Sequence, residues 1–246
     1  MQKDREILVA GIEPQSLVDE PGHVVAIIYL QQCNLNCGFC HNSSLIPRNA
    51  PGTARMTGEQ IVEKLSGNFL IDGVIFTGGE PTMQPGIVDV VKVARDKFSF
   101  VGIDTNGTNP RVIEQVSPHV SRIAMDIKTT FEKYPVVAGK NVNIDEIRRS
   151  ISALCRRSVN GGRVEFRTTL ALPLVSADDV AWIADYLISE GFSGNFNSRY
   201  VIQQYVASAG VRPGKIAFET MTAESIHDLA SEIKKQGIPV ATRCQF

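Results

Sequence analysis

At 246 residues with 43% hydrophobic content, the chain can bury a sizeable core, and a single domain over residues 1–246 is expected. A formal net charge of −1 lacks the basic footprint that neutralising a run of phosphates requires, so nucleic acid is not expected as a partner. No apolar run approaches the roughly 20 residues of a membrane span, and the charged start Met1–Glu6 has no secretory apolar stretch behind it. Five cysteines, three of them crowded between Cys33 and Cys40, fit a reducing cytoplasm and a metal site better than a disulfide framework.

In chain order, the short apolar segment Ile7–Val18 reads as a hairpin or cover, within an N-terminal covering segment of residues 1–20. The repeating pattern then starts. Core strands are predicted at Val24–Gln31, Gly73–Thr77, Phe100–Asp104, Arg122–Ile127, Val164–Ala171 and Tyr200–Tyr205. Helices are predicted between and after them at Thr57–Leu65, Pro85–Lys97, Pro110–Val116, Ile144–Ser158, Ala177–Ser189 and Ala223–Gln236. Several helix starts carry their own signal: Thr57 stands three residues before Gln60, Pro110 follows Asn109, and Ser176 precedes two aspartates. Val240–Thr242 closes the far edge. Apolar runs alternating with helical patterns are the mark of βαβ units on a parallel sheet, so the fold class is α/β.

The segment Cys33-Asn34-Leu35-Asn36-Cys37-Gly38-Phe39-Cys40-His41-Asn42 follows directly on the first core strand, where α/β barrels place their chemistry. Three thiolates on one short loop suit one face of an iron–sulfur cube, and no fourth cysteine lies near to take the last iron. A structural zinc site would need the adjacent Cys40 and His41 as ligands, a strained pair without normal zinc spacing. The Cys37-x-x-Cys40-His41 haem-attachment pattern leaves Cys33 unexplained, and a thioredoxin-like pair should open a helix in a smaller fold. Cys155 and Cys244 read as an ordinary helix cysteine and a terminal one.

The spacing Cys33-x3-Cys37-x2-Cys40, with Phe39 before the last cysteine, resembles the signature of the radical S-adenosylmethionine superfamily. Its extension Cys40-His41-Asn42 is similar to that of the glycyl-radical-enzyme activases. Further motifs arrive in the order of that family. Thr77-Gly78-Gly79-Glu80-Pro81 resembles its GGEP turn, where glycines bring the backbone close to a ligand. Asp104 ends the third core strand and Asp126-Ile127-Lys128 the fourth. Asp126 and Lys128, two apart on a strand, point to the same side, an anion and a cation facing one small zwitterion.

The resemblance implies a partial (β/α)6 barrel of the TIM type, of parallel strands and open on one side, over residues 21–246. It assigns one [4Fe-4S] cluster to Cys33, Cys37 and Cys40. S-adenosylmethionine is assigned to Phe39, His41, Gly78, Gly79, Glu80, Asp104, Asp126, Lys128 and Arg167, with a monovalent cation near Asp104 and Asp126. Glu165, Arg167 and Thr169 share one face of the fifth core strand, so Arg167 is placed either to reach a ribose or carboxylate edge or to pair with Glu165. On the sixth, Gln203 or Gln204 stands where the family often has a histidine. The implied activity is reductive cleavage of the cofactor to a 5′-deoxyadenosyl radical, which takes hydrogen from a glycine of a partner glycyl radical enzyme. The activating proteins of anaerobic ribonucleoside-triphosphate reductases are the nearest resemblance, with flavodoxin or ferredoxin as electron donor. The alternative is a radical enzyme of the deazapurine-forming type, acting on a small molecule or nucleoside.

Overall fold

Of Ile7–Val18, read as a hairpin or cover, Ile7–Ser16 folds as strand β1 in the computed structural model, which describes residues 5–192, 197–211, 214 and 216–245. Strand β2 (Val25–Leu30) returns antiparallel to it, Val9 level with Leu30, and the short β3 (Ala54–Met56) pairs antiparallel with its other side. The remaining strands are β4 (Gly73–Gly78), β5 (Phe100–Thr105), β6 (Arg122–Asp126), β7 (Arg163–Leu170), β8 (Arg199–Gln204) and β9 (Val240–Arg243). Their order is β3-β1-β2-β4-β5-β6-β7-β8-β9, so the sheet begins and ends on different strands and stays open. The expected parallel pairing holds for β2 with β4, β4 with β5, β7 with β8 and β8 with β9, while β1 and β3 add an antiparallel margin.

The helices are α1 (Gly58–Leu65), α2 (Ile87–Lys97), α3 (Pro110–Val116), α4 (Tyr134–Val137), α5 (Ile144–Val159), α6 (Ala177–Ser189) and α7 (Ala223–Lys235). Thr57 and Gln60 close a reciprocal capping box on α1, and Asp179 accepts from both the N–H and the hydroxyl of Ser176 at the start of α6. Asn143 caps α5, which buries Ile147, Ile151 and Leu154 along one stripe. Each of these side chains contributes about 1.5–3 kcal/mol by leaving water.

The chain forms two compact units, one of residues 1–34, 44–105 and 111–123, the other of residues 35–43, 106–110 and 124–246. In the first, Val25, Ile27, Ile75 and Phe100 pack as one apolar cluster. Strand β2 is buried along most of its length, as a strand inside a parallel sheet must be. In the second, Cys155 on α5 is 1% exposed, and burial, reinforced by Glu190, pushes its thiol up to about 12. Folding therefore holds Cys155 protonated at pH 8. Iodoacetamide followed by peptide mass spectrometry should leave Cys155 unlabelled in the native protein at that pH and label it in urea.

Candidate functional site

In the first unit, the ends of β2 and β4 run level, Leu30 opposite Gly78. Just beyond, Gln32 takes a φ of 84°, a left-handed conformation uncommon for a residue with a side chain. Two backbone bonds hold it there: its N–H donates to the Leu45 carbonyl at 2.7 Å, and its carbonyl accepts from the Glu80 N–H at 2.8 Å. Gly78 has a φ of 103°, and a Cβ on Gly79 would run into the Gln32 carbonyl oxygen, so the turn accepts only glycine at both positions. Cys33 follows, its N–H donating to the Ile46 carbonyl at 3.1 Å.

The carboxylate of Glu80 is 1% exposed and engaged: Oε1 accepts from the Thr82 N–H at 3.0 Å, the Thr82 hydroxyl at 2.6 Å and the Thr105 hydroxyl at 2.7 Å. It ties the glycine turn to the end of β5. Asp104 accepts from Arg122 Nη2 at 3.1 Å, and the wholly buried Arg122 also places Nε 3.0 Å from Glu20. Sequence reasoning singled out neither Glu20 nor Arg122. An arginine opening a strand and a glutamate in an N-terminal loop form no local pattern, and only the fold joins them.

In the second unit, Cys37 is buried and Cys40 half-buried, both as free thiols, and the Cys40 N–H donates to the Cys37 carbonyl at 3.2 Å. Phe39 between them is buried with Val137, Ala171, Val175 and Tyr205. The ring of His41 stacks on Tyr205 at 5.6 Å, with Nε2 2.7 Å from the Val206 carbonyl oxygen. The loop is anchored at its other end by the Asn36 N–H, which donates to the Ala138 carbonyl at 2.8 Å.

Lys128 Nζ lies 2.7 Å from Asp126 Oδ2, so the two side chains do share one side as their spacing requires. The Lys128 N–H donates to the hydroxyl of the fully buried Tyr134 at 3.1 Å, a positioning contact that the sequence did not reveal. Burial alone would lower the Lys128 pKa, but Asp126, with Cys37 and Cys40 behind it, holds the ammonium well above the ordinary lysine value. Burial pushes the Cys37 thiol up, and Lys128 pulls the other way. Cys37, Cys40, Asp126 and Lys128 thus form one electrostatically coupled group.

Arg167 takes the second of its two expected roles: Nε donates to Glu165 Oε1 at 2.6 Å. Glu165 is 2% exposed and also receives Arg199 at 2.7 Å and Arg243 at 2.8 Å. On β8, Gln204 is committed to structure, donating to the Met221 carbonyl and accepting from the Gln245 N–H.

Among the described residues no three His, Cys, Asp or Glu side chains close on a single metal-ion position. An iron–sulfur cube makes a different demand, one thiolate for each iron it anchors. Free thiols on one short loop, beside a cation that offsets the charge of thiolate and sulfide, suit that donor chemistry.

The family model described as the Radical SAM superfamily matches residues 27–187, well over half of the chain. A Methanocaldococcus jannaschii protein named for glycyl-radical enzyme activation is 34% identical over 183 residues, covering 72% of this chain and 74% of its own. The pyruvate formate-lyase-activating enzyme of Clostridium pasteurianum is 31% identical over 143 residues, 54% of this chain and 57% of that one. Among solved structures, QueE from Escherichia coli superposes with a TM-score of 0.60 at 12% identity, covering 98% of this chain and 95% of that one. That likeness is one of fold, the open and mostly parallel α/β arrangement.

Proposed function

Because the chain belongs to the radical SAM superfamily, we propose that it activates a glycyl radical enzyme, with anaerobic ribonucleoside-triphosphate reductase as the partner. The observation that carries this reading is the coupled group of the second unit, two free thiols of the cysteine loop beside the Asp126–Lys128 pair. When bound, one [4Fe-4S] cluster and S-adenosylmethionine supply reductive cleavage to a 5′-deoxyadenosyl radical and hydrogen abstraction from a glycine.

The chain's own residues bind and orient. Cys33, Cys37 and Cys40 hold three irons. The half-buried backbone of Gly78 and Gly79 takes the amino end of the cofactor, Glu80 keeping that turn against β5. Lys128 meets the cofactor carboxylate as a fixed ammonium, and Asp126 and the Tyr134 hydroxyl hold it in place. Phe39 shields the loop beside the adenine and the exposed His41 steadies it against Tyr205, while Arg167 works through Glu165. Asp104 and Asp126 already carry Arg122 and Lys128 as cations, so a monovalent ion is left out of this assignment. Flavodoxin or ferredoxin provides the electron, consistent with a place in the reducing cytoplasm. No described helix is long and apolar enough to cross a membrane.

The test is anaerobic: reconstitute with iron and sulfide, add dithionite and S-adenosylmethionine, and measure 5′-deoxyadenosine with and without the reductase while following a glycyl radical by electron paramagnetic resonance. Deoxyadenosine with a glycyl signal establishes the reading. Deoxyadenosine without it moves the substrate to a small molecule or nucleoside, as in the deazapurine-forming type, and no deoxyadenosine overturns the radical chemistry. In the same assay Lys128→Met should raise the half-saturating cofactor concentration by about ten- to a hundredfold, the worth of one charge-assisted hydrogen bond.

A further inference from the structure

The described residues between β8 and α7 have no part in the assignment above, yet within the second unit several of them hold the cysteine loop. Ser43 donates through both its hydroxyl, at 2.6 Å, and its N–H, at 3.4 Å, to the Gly210 carbonyl. A Cβ on Gly210 would collide with the His41 carbonyl oxygen, so the two backbones lie in direct contact. The imidazole of His41 meets the Val206 carbonyl at 2.7 Å. The far end of the segment is tied down where the Glu219 N–H donates to the Leu172 carbonyl at 3.0 Å.

Phe218, next to that tie, reaches the loop itself. Its ring stands edge-on to Phe39 with centroids 6.0 Å apart and planes at 84°, and it packs on Tyr205 at 5.4 Å. A Cβ on Gly38 would lie 3.1 Å from Phe218 Cζ, so the ring already fills the space over that glycine. Gly38 and Phe39 are the two residues between Cys37 and Cys40. One half-buried side chain, far away in sequence, thus packs against both residues of the turn between two of the thiols, with Gly38 itself still exposed.

We propose that Phe218 is a positioning residue for the iron–sulfur cluster, holding the Cys37–Cys40 turn in a single geometry and shielding its Phe39 side from water. The proposal rests on the assignment of those cysteines as cluster ligands. The side chains around a cluster and their control of solvent access set its potential and its lability, and Phe218 is the ring placed to exert that control on this turn.

The experiment compares reconstituted wild type, Phe218→Ala, Phe218→Tyr and Phe131→Ala, the last removing a ring of the same unit that packs on Trp182 and Tyr186 instead. Iron and sulfide are counted, bleaching of the visible absorbance by EDTA is timed without oxygen, and the dithionite-reduced spectra are recorded by electron paramagnetic resonance. Phe218→Ala should load as much iron as wild type, lose it about tenfold faster and change the reduced spectrum, an aromatic contact of this kind carrying roughly that factor. Phe218→Tyr should restore the wild-type rate, and Phe131→Ala should never have departed from it. If Phe218→Ala does not fold, Phe218→Leu takes its place, with an intermediate rate expected. Equal rates and spectra for wild type and the Phe218 variants overturn the proposal and leave the cysteine assignment standing. Wild type that takes up no cluster overturns the cysteine assignment itself.

Discussion

Cys37→Ala should reduce cofactor cleavage to background, at least about a hundredfold below wild type, because losing a metal ligand exceeds the 10–100-fold typical of losing a neighbour that merely orients one. Cys37 is 7% exposed and more buried than Cys40, so water reaches the vacated corner poorly and replaces the sulfur badly. It also lies beside Lys128, which pulls against the upward push of burial on this thiol, so the substitution alters the surroundings of the ammonium at the same time. Iron per chain and visible absorbance after anaerobic reconstitution should fall together with 5′-deoxyadenosine. Cys155→Ala is the informative control. That thiol lies on α5 among Ile151 and Leu154, and its loss should leave cluster content unchanged.

The largest effect on stability is expected far from the cysteines, at Arg122. Its guanidinium is 1% exposed and joins two carboxylates, Glu20 and Asp104, of which Glu20 is equally buried. Removing one partner of a buried ionic group costs about 3–5 kcal/mol, because the opposite charges stay behind without their compensation. At roughly 2–4 °C per kcal/mol for a chain of this size, Arg122→Met should lower the melting temperature by about 6–20 °C. Adding Glu20→Gln to Arg122→Met should recover part of that loss, since the double variant no longer buries the glutamate's charge. A double variant as unstable as the sum of the single ones would show that Arg122 acts through packing alone. Scanning calorimetry of the four proteins decides between the two.

The core strands were legible because their signal is local. Gly73–Thr77 against the observed Gly73–Gly78, and Phe100–Asp104 against Phe100–Thr105, differ by a single residue, as short apolar runs bounded by polar turns allow. The caps at Thr57 and Ser176 likewise act within a few residues of themselves. The misses have one cause. Strand β3 is three residues long, too short to show a period, and α4 is a single turn starting beside Pro135. Glu20 with Arg122, Tyr134 with Lys128 and Phe218 with Gly38 gain meaning only when the fold brings their partners together. Spacing did place Asp126 and Lys128 on one side. It could not decide whether Arg167 would face a ligand or Glu165, because both lie on the same face of β7, and a buried carboxylate two residues away won the arginine.

At one margin of the sheet β3 offers three residues, and at the other β9 offers four. A bare strand edge is a template on which a second chain can extend a sheet, and the hazard grows with the number of unpaired rungs. Arg55, exposed at the centre of β3, places a charge on that short ledge. Copies of this protein crowded together during concentration therefore find little to grow on, and fibrillar aggregation should be slow even where the apolar strands between β2 and β8 would favour it if laid bare.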